Sequence, residues 1–289
     1  MNRNINRSLA GFIVALALAA PANIAFAQDE IAQEPEAVDP NCDAACQAAR
    51  KAANPLGDIA AIMTDNTIAY KTGTNDQDSY NFQIQPVFSV PLDGANLIMR
   101  GVIPVQGVQP DAAVPPILPD PTPNTTMEWG IGDTIVQMIY SPTGGKLAYG
   151  FGLQVSLPTH SKPALEGPSM GAGPTAVVFG QSGDLSWGGV IGHLWGQDGF
   201  SVTTMQPILI YGFGGGWYGG YNNTVAYNWS APKDTTGWSV PLGLTGGRTI
   251  LLNEQSGTSL DVSLGYYWNV STPKGAADRQ LKFGVSLLF

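Results

Sequence analysis

Two histidines are the side chains of this sequence whose pKa is best suited to general acid–base catalysis. His160 precedes Ser161 in the segment "PTHSKPALEG", and His193 lies two residues before Trp195 in "GHLWG". A Ser–His pair at a membrane surface could hydrolyse lipids. Adjacent residues on a strand face opposite ways, however, and a histidine beside a tryptophan is more often a membrane anchor. Lipid hydrolysis is therefore the less favoured alternative, and the sequence does not predict an enzyme.

The two cysteines, Cys42 and Cys46, are four residues apart and follow a predicted secretory signal. In that signal, Arg3 and Arg7 precede an apolar run, and "AFA" forms a cleavage site after residue 27. An oxidising compartment favours a disulfide between the cysteines over free thiols. Two cysteines cannot complete a zinc site, and the sequence contains no phosphate-binding glycine loop. We therefore expect no metal and no cofactor.

The composition is poor in charge and rich in glycine. Asp, Glu, Lys and Arg make up 12% of the chain, about half the usual share, and there are 36 glycines. A chain with so few charges can have an outer surface that is partly in contact with something other than water. A glycine-rich β-sandwich would have the same composition. The formal net charge of −9 argues against nucleic acid as a partner.

Three segments differ in composition. The segments are predicted to be a signal peptide at residues 1–27, an acidic periplasmic tether at 28–57 and a β-barrel at 58–289. The tether is predicted to be flexible or disordered, with one short helix at 43–53. Asn41 or Asp43 would cap the start of this helix, and the helix would end before Pro55.

After residue 57 the apolar pattern has a period of two. In "KLAYGFGLQVSL", large apolar residues alternate with Ala, Gly, Gln and Ser, which predicts a strand with one apolar and one small polar face. The same pattern recurs along the chain. The predicted strands are 61–71, 79–91, 95–106, 126–141, 146–157, 170–181, 185–195, 199–212, 217–229, 237–250, 257–270 and 280–289.

The connections between these strands alternate in length. One set is compact, such as "LDGA", "QSGD" and "FGGG", and the other is mostly long. Short turns at one end and long loops at the other are typical of an outer-membrane barrel, with the turns in the periplasm. The fold class is therefore all-β: a transmembrane antiparallel up-and-down β-barrel of twelve strands, with a short N-terminal periplasmic segment.

Tryptophans on one strand suggest where the membrane interfaces lie. Trp187 and Trp195 share a strand face and are about 26 Å apart along the strand, or about 20 Å along the barrel axis once the strand is tilted, close to the height of an apolar band. They are predicted to belong to the aromatic girdles, although packing in a soluble core would explain them equally well.

Polar residues on the opposite face would line the lumen. Arg100 is predicted to point inward and to pair with Asp133. In a regular strand Trp129 and Asp133 would face the same side, because they are four residues apart. The pairing therefore requires a bulge near Gly130 or Gly132. This pair is either a selective constriction or a structural salt bridge that fills the lumen. The predicted lumen residues are Gln83, Gln85, Arg100, Glu128, Asp133, Gln154, Asp261 and Lys282.

The long loop at 106–125 is rich in proline. The segment "PDAAVPPILPDPTP" within it is apolar enough to fold over the mouth of the barrel and gate it. A surface loop without a gating role is the alternative.

Five segments resemble, in order, a family of bacterial outer-membrane proteins often mislabelled "neuromedin U", which is related to transporters named for the MetA pathway of phenol degradation. These segments are "NPLGDI", "NFQIQPVFSVPL", "EWGIGDTIVQMIYSP", "MGAGPTAVVFGQSG" and "VIGHLWG". The resemblance covers the chain after Asn54. It implies a barrel and a role in transport, and it brings no catalytic residues.

The last strand, "LKFGVSLLF", resembles the signal that the outer-membrane assembly machinery reads. The matching residues are Lys282, Gly284, Leu287 and Phe289. This resemblance predicts that loss of Phe289 impairs insertion into the membrane.

Together these observations predict a channel or transporter for small solutes in the outer membrane of a Gram-negative cell, with hydrophobic or aromatic compounds as candidates. Its expected partners are outer-membrane lipids, the assembly machinery and the solute. The alternative from another class is a barrel that does not transport and serves as a structural or surface-binding element.

Overall fold

Twelve antiparallel strands form in the described part of the chain, which confirms the predicted number and fold class. The computed structural model describes residues 42–57, 60–73, 76–108, 126–145 and 147–289. The strands are β1 (Ala61–Thr72), β2 (Gln77–Leu92), β3 (Ala95–Val108), β4 (Glu128–Ile131 and Thr134–Pro142), β5 (Ala148–Leu157), β6 (Gly171–Ser182), β7 (Leu185–Trp195), β8 (Ser201–Gly214), β9 (Trp217–Asn222 and Val225–Asn228), β10 (Trp238–Asn253), β11 (Thr258–Ser271) and β12 (Arg279–Leu288).

Each strand pairs with its neighbour in sequence, and the last pairs with the first. In the closing ladder Ala61 lies opposite Leu288 and Tyr70 lies opposite Arg279. The sheet therefore closes into a barrel, and closure removes the exposed edges that an open sheet would have. The tight connections, such as the one at 183–184, lie at one end of the barrel, here called the turn end, and the long connections lie at the loop end.

The outer face of the barrel is covered with large apolar side chains. Leu244 is 71% exposed and Phe213 is 68% exposed, and both point outward. Trp187 and Trp195 also lie on this face, 39% and 56% exposed. A broad exposed apolar surface would be unstable in water, and it is typical of barrels whose outer face contacts lipid. Among the described residues, no helix has the length and hydropathy that a membrane span requires.

Two strands are interrupted, and each break has a physical cause. In β4 the pairing with β3 changes from Val105 opposite Ile131 to Val102 opposite Ile135, so β4 contains one extra residue. This is the bulge that the sequence predicted. In β9 the register on either side of the break places Asn223 opposite Pro207. It also places Thr224 opposite Pro241. Because proline has no N–H, neither neighbouring strand can donate a hydrogen bond here.

A ten-residue helix, α1 (Ala44–Ala53), precedes the barrel. The Asp43 side chain caps it by accepting a hydrogen bond from the Cys46 amide at 2.8 Å, and the helix ends at Ala53, before Pro55. Cys42 and Cys46 are joined by a disulfide. The helix does not extend away from the barrel, because its residues pack against the inner wall at the turn end.

Contacts at and just after the C-terminal turns of α1 hold it inside the barrel. Leu56, 5% exposed, packs against the inward-facing Ile98 and Ile139. Arg50 forms a salt bridge of 3.1 Å with Asp184 in the turn between β6 and β7. Helix α1 therefore covers the turn end of the lumen. The signal peptide, the acidic tail as far as residue 41 and the proline-rich segment at 109–125 lie outside the described residues, and the expectations for them stay predictions.

Candidate functional site

A row of hydrogen-bonded polar side chains crosses four neighbouring strands on the inner face of the barrel. The Nη2 of Arg100 donates to the Gln85 Oε1 at 2.6 Å, and its Nη1 donates to the Gln137 Oε1 at 3.4 Å. Gln85 donates to Gln83 at 2.7 Å, and Gln137 donates to Gln154 at 3.1 Å. We call these five residues the polar belt.

Strand register explains the polar belt. Arg100 lies directly opposite Gln137, which lies directly opposite Gln154, so the three side chains form one row on one face. Gln85, Gln137 and Gln154 are all buried. Buried amides are stable only when they are hydrogen-bonded, and here each satisfies its neighbour.

Arg100 donates hydrogen bonds only to neutral acceptors. In the part of the chain that the structure describes, no carboxylate oxygen lies within 4.0 Å of its guanidinium, and its Nε has no hydrogen-bond partner. Two glutamine oxygens therefore serve a group with five N–H donors. The nearby charge that acts on it is that of Asp65 on β1.

Asp65 is itself paired with Lys282 of β12. The Lys282 Nζ is 3.0 Å from the Asp65 Oδ1 and also donates to the Asn223 Oδ1 at 3.2 Å. On the same side of the lumen, Asp261 accepts hydrogen bonds from the Tyr218 hydroxyl at 2.9 Å and from the Thr249 hydroxyl at 2.7 Å. Both carboxylates are therefore satisfied by groups of the barrel wall.

A cavity of about 210 Å³, here called the turn-end cavity, lies between helix α1 and the polar belt. Its wall is divided into two parts. One part is polar and consists of side chains on β9–β12 together with Asp65, Gln85, Arg100 and Gln137. The other part is aliphatic and consists of side chains on β3, β4, β6, β7 and β8. The cavity therefore offers charged and apolar surfaces to the same small molecule.

The loop end of the lumen is filled by the connection between β5 and β6, residues 158–170. Asp133 anchors this loop: its carboxylate accepts hydrogen bonds from the backbone N–H groups of His160, Gly167 and Ser169 at 3.2, 2.9 and 2.6 Å. The His160 Nδ1 is 2.7 Å from the same carboxylate. Leu165, in the short 3₁₀ helix Pro163–Leu165 of this loop, is fully buried.

The predicted ion pair between Arg100 and Asp133 is therefore wrong. The bulge in β4 does turn Asp133 inward, but Asp133 lies at the loop end and Arg100 faces Gln137, four residues further along the strand. Loop N–H groups are closer to the Asp133 carboxylate than Arg100 is, and they satisfy it without Arg100.

A second cavity of about 150 Å³, here called the loop-end cavity, lies between this loop and the polar belt. Seven of the eight predicted lumen residues line one cavity or the other: Gln85, Arg100, Asp261 and Lys282 line the turn-end cavity, and Gln83, Asp133 and Gln154 line the loop-end cavity. The eighth, Glu128, instead forms an ion pair with the loop at 158–170: its Oε2 is 3.9 Å from the Nζ of Lys162.

Sequence reasoning missed Asp65 and Gln137, although both are central to the site. Each is a polar residue inside a strand, in "MTDNT" and "IVQMI", and that signal was present in the sequence. Their importance comes from their neighbours, since Gln137 connects Arg100 to Gln154 and Asp65 neutralises Lys282.

On the outer face, His193 belongs to an aromatic and hydroxyl cluster. Its Nδ1 is 2.8 Å from the Thr203 Oγ1, its Nε2 is 3.3 Å from the Ser201 Oγ, and its ring lies 4.3 Å from that of Trp195. Thr203 also accepts a hydrogen bond from the indole of Trp229 at 2.9 Å. A catalytic serine needs donors for an oxyanion as well as a base, and the described contacts of Ser201 supply none. The cluster fits an interfacial anchor better.

The chain resembles a solved outer-membrane protein in fold. The crystal structure of an outer membrane channel from Pseudomonas putida F1 is 12% identical to this chain, with a TM-score of 0.58. The match covers 82% of this chain and 97% of that one. At this identity the likeness shows the fold alone, and it is the fold that the family resemblance implied. No protein-family model and no curated protein matches the chain.

Proposed function

We propose that this protein is an outer-membrane channel that admits small solutes into its lumen, with hydrophobic or aromatic compounds among the candidates. The observation that carries the proposal is the polar belt, which lies between two cavities inside a closed barrel whose outer face is apolar. A barrel of twelve strands is wider than one of eight, whose side chains fill the interior, and narrower than an open porin. Its lipid surroundings and its assembly machinery would be those of the outer membrane.

In this proposal the polar belt is the constriction that selects among solutes. Its one full charge belongs to Arg100, and a charge in a narrow, low-dielectric pore acts strongly on passing ions. Helix α1 and the loop at 158–170 would have to move for the largest solutes to pass, since they cover the two ends of the lumen.

The test is single-channel recording of the purified protein in a planar bilayer under a KCl gradient. We expect Arg100→Glu to shift the reversal potential towards cation selectivity, because it changes the fixed charge of the constriction by two units. The matched control is Arg248→Glu, since Arg248 is an exposed arginine on the outer face, over the ring of Trp217.

An unchanged conductance and selectivity in Arg100→Glu would remove Arg100 from the selective role. A purified wild-type barrel that stays silent in bilayers would contradict the channel itself and favour a structural or surface-binding barrel.

A further inference from the structure

The turn-end cavity contains a cation that the barrel leaves incompletely satisfied. Of the charged side chains that line it, Lys282 pairs with Asp65 at 3.0 Å, and Asp261 accepts two hydroxyl hydrogen bonds. Arg100 has two glutamine oxygens as acceptors, and among the described residues no carboxylate lies within 4.0 Å of it. Arg100 is therefore the group on this wall with hydrogen-bonding capacity and charge to spare.

Burial makes that spare capacity significant. A cation removed from bulk water is costly unless an anion or further acceptors compensate for the lost hydration. The Nε of Arg100 is shielded from solvent and has no acceptor. The planar guanidinium presents its N–H groups as a fork that matches the two oxygens of a carboxylate. An anion with two parallel oxygens is thus the complement that this site lacks.

The rest of the cavity selects the body of the ligand. The aliphatic side chains of Ile98, Ile139, Val177, Val190 and Ile208 form a continuous wall beside Arg100, and alanines of helix α1 form the floor. A small inorganic anion would leave the space beside this wall unfilled, whereas an apolar chain or ring would make dispersion contacts with it. The volume of about 210 Å³ restricts the body to a small one.

Asp261 favours a ligand with one negative charge. It lies on β11 and its carboxylate accepts hydrogen bonds from two neutral hydroxyls, whereas Asp65 is paired with Lys282. A second carboxylate on the ligand would meet Asp261 in a medium of low dielectric, where repulsion between like charges is strong.

We propose that the turn-end cavity binds a small monocarboxylate with an apolar body, with the carboxylate on the Arg100 guanidinium and the apolar body against Ile98 and Ile139. This ligand class would also be the substrate class of the channel proposed above, and the claim that such ligands are transported rests on that proposed function. The claim that such ligands bind rests only on the geometry of the turn-end cavity.

The test measures equilibrium binding to the full chain in detergent micelles by saturation-transfer NMR, with protein-free micelles as the blank for partition into detergent. Four probes separate the features of the ligand: hexanoate, its neutral analogue hexanamide, acetate without the apolar chain, and adipate with a second carboxylate. We expect hexanoate to bind about tenfold or more tightly than each of the other three.

Variants then assign the binding to the cavity. Arg100→Gln should weaken hexanoate binding about tenfold and leave hexanamide unchanged, because only the ion pair is lost. Arg100→Lys, which keeps the charge and loses the fork, should lie between the two. The matched control Arg248→Gln removes an arginine outside the lumen and should bind hexanoate like the wild type. Heat-modifiable migration in electrophoresis confirms that each variant is folded.

Equal affinity for hexanoate and hexanamide would overturn the inference, as would wild-type hexanoate binding by folded Arg100→Gln. Conductance measured on the same preparations keeps this outcome separate from the channel proposal. A barrel that conducts without binding hexanoate contradicts the site alone, and a barrel that binds hexanoate without conducting contradicts the channel alone.

Discussion

Asp133 and Arg100 show how single residues are satisfied inside this barrel. The Asp133 side chain is almost completely buried, yet its carboxylate faces three backbone N–H groups and an imidazole of one loop. Hydrogen bonds to a charged acceptor are stronger than those between neutral groups, so this one side chain can hold a whole connection in place. Arg100, in contrast, is a charged donor whose only hydrogen-bond acceptors are neutral glutamine oxygens.

We expect Asp133→Asn to loosen the loop at 158–170. The substitution keeps the size of the side chain but removes the charge, and a hydrogen bond to a charged group contributes about 1.5–3 kcal/mol. The loop should therefore leave the mouth at least about tenfold more often, seen as more frequent high-conductance openings in single-channel recordings.

The control is Asp198→Asn, an exposed aspartate in the neighbouring short turn Gln197–Gly199. Openings of equal frequency in Asp133→Asn and the wild type would show that the loop is held by packing of Leu165 rather than by the carboxylate.

At the scale of elements, helix α1 is short and would not be stable alone, since helices of about ten residues are marginal in water. It is stable here because Leu56 and the alanines of its last turn bury against the inner wall. The Arg50–Asp184 salt bridge connects it to a turn of the barrel. The partly exposed pair is expected to contribute about 0.2–1 kcal/mol.

A charge swap tests whether this salt bridge keeps α1 at the turn end. Arg50→Asp should place two carboxylates together, and Asp184→Arg should place two guanidinium groups together; each repulsion should raise the frequency of openings by up to about fivefold. The double variant Arg50→Asp with Asp184→Arg restores opposite charges and should return to wild-type behaviour in the same recordings.

If the double variant opens as often as the single ones, the salt bridge is not what holds the helix. The contacts of Leu56 would then account for its position.

At the scale of the whole molecule, the barrel is inverted relative to a water-soluble protein. Large apolar residues such as Leu244 and Phe213 are outside, and charged and amide side chains are inside. This arrangement requires lipid around the barrel and closure of the sheet, because neither an apolar surface nor an open edge is stable in a membrane without them.

Closure depends on the pairing of β12 with β1, which the Phe289 amide extends by donating to the Ala60 carbonyl at 2.8 Å. The Phe289 side chain is half exposed on the outer face. We expect deletion of Phe289, or Phe289→Ala, to lower the amount of heat-modifiable protein in the outer membrane.

Phe213→Ala is the matched control, because Phe213 is an exposed outward aromatic on β8. Normal outer-membrane levels of the Phe289 variants would refute the predicted assembly signal.

The sequence by itself determined the twelve strands, the inward and outward faces, the bulge near Gly132 and the extent of the short helix. These follow from local rules: alternation assigns each side chain to a face, and Asp43 and Pro55 bound the helix. Only the tertiary structure decided which inward residues meet. Arg100 faces Gln137 and not Asp133, α1 lies in the lumen, and the loop at 158–170 folds inward. Such contacts depend on strand register and on loops that return to the lumen, and both are set by the packing of residues far apart in the chain.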